Sequence, residues 1–281
     1  MAIAIGILLV LVGCVVIFES VPWSPLKSEF QADVDRLSKG NILLDSGELF
    51  AESDFADAPE AIQRYIRHCG YIGTPKMSFI KVFCEDVRLE MDGRHLDIDY
   101  TLYDFAARPD RIALIEASMY GLPFDGYDYV IDGSGGMKGT FGKVFRVFNQ
   151  TGDLMDKSQL VTLLAEGPLC PTIFLQDFVE LEQIDTNHVK AKITYNEIVA
   201  SGIITVNNVG EVVMFSTEDR AMSTQGGGMV YTPWTGVFGD YGANDDGILF
   251  PWHMKVVWNL PEGDLTYFDG RVGSIEYGKS E

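Results

Sequence analysis

"GILFPWHMKVVWNL", from Gly247 to Leu260, is the stretch whose reading decides the fold. Ile248, Phe250, Trp252, Met254, Val256, Trp258 and Leu260 occupy alternate positions, with His253, Lys255 and Asn259 between them. Apolar residues at every second position put one face of a β-strand on a core and the other toward water. The run is about 13 residues long, where an average strand has five or six. Strands of that length in one sheet twist, and a large twisted sheet curls. The neighbouring "YTPWTGVFGDYG" adds Trp234, Phe238 and Tyr241, so most of the chain's tryptophans lie in one region.

Downstream, "PEGD" at Pro261–Asp264 turns the chain into a further strand, "LTYFDGRVGSIEY". Upstream, Tyr231–Phe238 reads as a strand and "GDYGANDDG" as the loop that follows it. "SGIITV", "NNVG" and "EVVMFS" form a hairpin, preceded by the alternating "VKAKITY". In the N-terminal half, "VRLEMDGRHLDIDYTLY" is a second hairpin, with Asp92-Gly93 as its two-residue turn. "RIALIEASMY", "GYDYVID" and "KVFRVF" continue as strands. One segment breaks the pattern: "TGDLMDKSQLVTLLAEGPLCPTIFLQ" predicts a helix from about Asp156 to Glu166, stopped by Gly167-Pro168.

Strands in sequential order without alternating helices exclude a parallel sheet. The expected fold is mainly β: a large curved antiparallel sheet of roughly eleven strands, a half-open or closed barrel, with a helical insertion at 154–176 covering an open mouth or edge. Two short amphipathic helices precede it. Phe30, Val34 and Leu37 line one, and Ile62, Tyr65 and Ile66 line the other, with Asp57 as a candidate cap. The expected organisation is an anchor at 1–20, linker and helices at 21–75, and the β domain at 76–281.

The chain has 281 residues, a net charge of −20 and a pI near 4.4. A nucleic-acid partner is excluded, because phosphate binding rests on a basic footprint. Met1–Phe18 carries no charged side chain and is just long enough to cross a bilayer as a helix. It predicts a single-pass membrane anchor, with the cell membrane as partner and location and the side of the β domain open. "LVGC" at Leu11–Cys14 keeps a lipidated Cys14 open beside it. Cys69, Cys84 and Cys170 have neither pairing parity nor zinc spacing, so buried thiols are expected. No cofactor or metal is implied. "DGSGGMKGTFGK" at Asp132–Lys143 fails both phosphate-loop patterns and reads as glycine kinks in a curved strand or as a long turn. "DYGANDDG" lacks the calcium-loop glycine.

Three polar residues are candidate acid–base groups: Glu166 at the end of the inserted helix, Asp240 in the loop after the aromatic strand, and His253 on the long strand. Their ordinary readings are a helix end, a turn and a solvent-facing position, and these are the favoured ones. If the insertion folds over the barrel mouth, the three meet at its rim. Trp234, Tyr241, Phe250, Trp252 and Trp258 are the candidate ligand wall.

"APEAIQRYIRHCG", "GSGGMKG", "LAEGPLCPTIFL", "TPWTGVFGDY" and the block from Gly247 to Tyr277 together resemble an uncharacterised prokaryotic family of anchored proteins, over about Pro59 to Tyr277. Its P-W-x-G-x-F-x-D-Y block is the most specific part. The resemblance implies no established reaction and draws attention to Glu166, Pro171, Trp234, Asp240, Tyr241, Pro251, Trp258 and Tyr277. Cys170 stands where that family usually has tryptophan. The overall shape is similar to carriers of lipids and lipoproteins, which use a half-barrel with a helical lid. The expectation is a membrane-anchored, non-catalytic protein that binds a lipid-like or other hydrophobic ligand in a β-sheet cavity. The alternatives are an enzyme acting on a hydrophobic substrate and a structural envelope protein with a filled barrel.

Overall fold

The computed structural model describes residues 5–7, 13, 17–18, 20–41, 48–91, 93–224 and 226–278. Alternation builds the sheet. The strands are β1 (Phe79–Met91), β2 (Arg94–Phe105), β3 (Arg111–Met119), β4 (Leu122–Ile131), β5 (Ser134–Phe141), β6 (Phe145–Thr151), β7 (Val179–Gln183), β8 (His188–Tyr195), β9 (Ile198–Val206), β10 (Val212–Thr217), β11 (Ala221–Ser223), β12 (Met229–Tyr231), β13 (Trp234–Ala243), β14 (Leu249–Leu260) and β15 (Gly263–Gly278). Thirteen of them form one antiparallel sheet in the order β6-β5-β4-β3-β2-β1-β15-β14-β13-β10-β9-β8-β7, and β11 pairs with β12 apart from it. The sheet is a curled half-barrel with β6 and β7 as its edges.

The expected β class and antiparallel order are borne out; the count of eleven is not. The sheet gains β5 and β7, and the β11–β12 hairpin is separate. The strand expected to end at Phe238 runs on to Ala243 as β13, so "GDYG" is sheet rather than loop. Tyr241 pairs with Pro251 and Ala243 with Leu249, while Asp240 takes a left-handed backbone, φ 54°. The expected two-residue turn between β1 and β2 fits the pairing of Met91 with Arg94 and the φ of 73° at Gly93; Asp92 lies outside the described residues.

Each face of the sheet holds its own core. Helix α1 (Pro25–Gly40) is capped by the Ser24 side chain and packs Leu26, Phe30, Val34 and Leu37 on the outer face, against Phe105, Ile112, Leu114 and Tyr127. The inner core takes the opposite phase of the same strands: Ile98, Tyr100 and Leu102 from β2, Ala113 and Ile115 from β3. It also receives Ile62, Tyr65 and Ile66 of α2 (Glu60–His68), whose N-cap is Pro59 rather than the expected Asp57.

The expected insertion forms α3 (Asp153–Glu166) and two 3-10 turns over 167–175. Because β6 and β7 are the two sheet edges, the segment joining them must cross the open side. α3 does so, packing on β5 of one wing and β9 of the other. The glycine-rich segment makes this approach possible. At Gly135 the backbone N–H donates to Asp156 Oδ1 at 2.7 Å, and a Cβ there would stand 2.6 Å from the Met155 carbonyl oxygen. Among the described residues no helix is long and apolar enough to cross a membrane, and most of the expected anchor, with Cys14, lies outside them. Cys69, Cys84 and Cys170 are buried free thiols, as expected. Burial pushes Cys69 and Cys84 up to about 12, so neither is a nucleophile at neutral pH.

Candidate functional site

Between α3 and the inner face of the sheet lies a cavity of about 510 Å3. That falls within the ~300–1,000 Å3 of small-molecule sites. Leu89, Met91, Ile98, Phe238, Met254, Val256 and Phe268 supply its apolar wall. Met155, Ser158, Thr162 and Glu166 of α3 face it, spaced three or four residues apart as one helix face requires. The β11–β12 hairpin lines it with Ala221, Met222 and Met229.

One end of the cavity is charged. Arg111 is only 2% exposed. It stands in phase with Ala113 and Ile115, so its strand directs it inward. Its Nε donates to Glu166 Oε2 at 2.5 Å and Nη2 to Glu166 Oε1 at 3.1 Å, a bidentate fork. Nη1 donates to Asp128 Oδ2 at 2.9 Å, and Nη2 also donates to the Tyr100 hydroxyl at 2.7 Å. The Gln159 amide of α3 donates to Asp128 Oδ1. Asp104 pairs across the sheet with Arg111 and continues the inward phase of Ile98, Tyr100 and Leu102. It is fully buried, its Oδ1 is 4.0 Å from Arg111 Nε, and neither oxygen has a hydrogen-bond partner among the described residues. Burial pushes its carboxyl well above the usual range; the nearby Glu166 charge adds to the rise and Arg111 opposes it. Burial therefore favours the neutral form of the Asp104 carboxyl. The break after α3 is pinned from below: Tyr65 and Tyr71 both donate to the Pro168 carbonyl, at 2.6 and 3.4 Å.

A second cation lies on another wall. The Arg220 guanidinium carbon is 5.3 Å from the Trp234 ring centre and 6.0 Å from that of Trp258. Trp234 Nε1 donates to the Tyr267 hydroxyl at 2.9 Å, and Tyr267 stacks on Trp258 with centroids 5.5 Å apart. These contacts fix both indoles.

The expected site residues divide between the cavity, the packed part of the inner core and the outer side. Glu166, Trp234 and Trp258 line the cavity; Tyr241, Phe250 and Trp252 do not. Phe250 is wholly buried against Trp252, whose Nε1 donates to the Gly242 carbonyl. Tyr241 donates to the Val212 carbonyl at 2.7 Å, and burial pushes its hydroxyl up. Asp240 and His253 are on the outer side. Asp240 accepts from Arg271 at 2.8 Å, and His253 Nε2 is 2.6 Å from Asp269 Oδ1. The three candidate acid–base residues therefore do not meet at one rim. Sequence reasoning misses Arg111, Asp104, Asp128 and Arg220. The first three carry a usable signal, since each is ionisable at an inward-phase position of a buried strand.

The chain belongs to a family of unknown function, DUF6544, whose model matches residues 48–270. An uncharacterised family is also what the sequence resemblance implies. No curated protein matches the chain. Among solved structures it is similar to a domain assigned to outer membrane lipoprotein sorting from Vibrio parahaemolyticus, at 8% identity, covering 79% of this chain and 92% of that one, with a TM-score of 0.44. It is also similar to a DUF1329 family protein from Desulfovibrio piger, at 10% identity, covering 82% and 94% of the two chains, with a TM-score of 0.41.

Proposed function

We propose that this DUF6544 chain holds a lipid-like or other hydrophobic ligand in the cavity beneath α3 and carries out no reaction on it. One observation carries the reading: a cavity of about 510 Å3 whose wall is largely aliphatic and aromatic. Apolar burial supplies the affinity of such a site, and a few fixed polar groups orient the ligand. A filled barrel, the structural alternative, leaves no such space. The N-terminal run of 1–20 would hold the protein at the cell membrane, where ligands of this kind reside, and 76–281 would be the binding unit.

Native mass spectrometry of the detergent-extracted full chain tests the binding reading. The expected result is a bound hydrophobic molecule that is lost in Val256→Trp, which fills the cavity. Extraction without any bound mass, together with failure to bind an added hydrophobic fluorophore, would overturn it. The anchor is tested separately. The full chain should stay with membranes through a salt wash, and a chain beginning at Ser24 should not.

One observation favours a second reading, an enzyme acting on a hydrophobic substrate. Asp104, a buried carboxyl whose neutral form is favoured, lies close to a second carboxyl, Glu166, and paired carboxyls in unlike surroundings are an arrangement that acid–base catalysis uses. Recovery of the extracted ligand chemically altered by wild type and unaltered by Glu166→Gln would establish that reading and displace the first.

A further inference from the structure

We infer that Arg220 is an anion subsite, and that the ligand is an amphiphile whose apolar body lies on the cavity wall and whose carboxylate or phosphate meets this guanidinium. The inference rests on the ligand reading of the cavity and adds the charge of the ligand. Arg220 and Arg111 line the same cavity but differ in what satisfies them. Arg111 spends its charge on Glu166 and Asp128. Among the described residues Arg220 has only neutral acceptors: Nη1 donates to the Ser158 carbonyl at 3.1 Å and to the Thr162 hydroxyl. The adjacent Asp219 is engaged elsewhere, with Lys157 at 2.7 Å and the Ser201 backbone at 2.8 Å.

The Arg220 Nε is buried with no hydrogen-bond partner among the described residues, and Nη2 makes no hydrogen bond to any of them. A guanidinium carries five N–H donors, so most of these remain open. Covering them with an uncharged apolar ligand would bury a cation with unmet donors, an arrangement proteins avoid. An anionic head resolves both the charge and the donors, and a planar carboxylate or a phosphate matches the fork. The surroundings hold the group ready. Ser158 and Thr162 lie one turn apart on α3, and Trp234 and Trp258 keep the guanidinium against the wall.

The test uses dansyl-labelled undecanoic acid and its methyl ester, titrated by fluorescence into the full chain stripped of bound lipid. The acid is expected to bind about tenfold tighter than the ester. Arg220→Gln should remove that preference, so that acid and ester bind alike. Lys190→Gln, which removes an exposed charge on β8, should change neither. Displacement by oleate against lysophosphatidic acid then distinguishes a carboxylate head from a phosphate, and displacement by neither would count against the subsite. Equal affinity for acid and ester in wild type overturns the anion subsite and leaves the cavity as an uncharged binding site. Absence of binding by both probes overturns the ligand reading itself. If Arg220→Gln does not fold, the wild-type ratio decides alone, with Arg220→Lys, which keeps the charge without the fork, expected to retain part of the preference.

Discussion

Arg111 and Arg271 each hold a carboxylate, at 2.5 and 2.8 Å, on opposite faces of one sheet. The chemistry of the two pairs is the same; the surroundings are not. Arg111 and Glu166 are 2% and 15% exposed, Arg271 and Asp240 69% and 54%. Water already solvates the outer pair, so its formation exchanges one set of good contacts for another. The inner pair has lost its water, and every donor must find protein. This is why Tyr100, Asp128 and Gln159 gather around Arg111, whereas Asp240 has Arg271 as its single side-chain partner among the described residues. Burial makes a charged group costly to leave alone, and a cluster of this kind marks a functional position more readily than an isolated surface pair.

Four substitutions put the comparison at risk. Arg111→Met strips the counter-ion from Glu166 and Asp128 while leaving both buried. It should cost about 3–5 kcal/mol in urea unfolding, and a loss below about 1 kcal/mol would mean that the cluster is solvated after all. Glu166→Gln keeps the shape and one acceptor but removes the charge of the fork. About 2 kcal/mol is the expected loss, with Asp128 still present to compensate Arg111. The third change sharpens the comparison through pH. The Asp104 carboxyl is raised in the folded protein, so the folded state keeps a proton that the unfolded chain releases above the ordinary aspartate range. Its contribution is therefore complete at low pH and declines as pH climbs from that range toward the raised value. Asp104→Asn has no proton to keep. Its melting temperature relative to wild type should rise steadily from pH 4 to pH 8, and a difference independent of pH would show that Asp104 does not titrate across folding. The smallest effect belongs to the outer pair. Asp240→Asn removes the contact with Arg271, and asparagine accepts the left-handed backbone at this position, so thermal melts should agree within about 0.5 kcal/mol.

The alternation of Gly247–Leu260 is legible because each inward position carries a large apolar side chain, and the strand follows it closely as β14. β5 is not legible. Gly135, Gly136 and Gly139 have little strand preference of their own, and they are there because α3, Tyr129 and Phe148 crowd those positions. β13 extends past its apparent end because cross-strand pairing overrides the turn character of "GDYG". Of the cavity, the sequence makes Trp234 and Trp258 visible as aromatics and Glu166 visible as a helix end. What lies opposite Glu166 depends on α3 crossing from one sheet edge to the other, a long-range fact that no local pattern contains. Arg111 is hidden for a simpler reason. It opens "RIALIEASM", where an initial charge reads as a strand end, and only the phase of Ala113 and Ile115 shows that it points inward.

The strand order has a consequence for how the chain is made. β1 to β6 follow one another as neighbours, as do β13, β14 and β15, yet the sheet is continuous only because β1, the first strand, pairs with β15, the last. That seam has a high contact order: its closure must wait for the C-terminal strand and bears the entropy of a loop nearly as long as the domain. During synthesis the N-terminal meander leaves the ribosome with the backbone donors and acceptors of its β1 edge unmet, and a chain released before β15 carries that open edge in what should be the centre of its sheet.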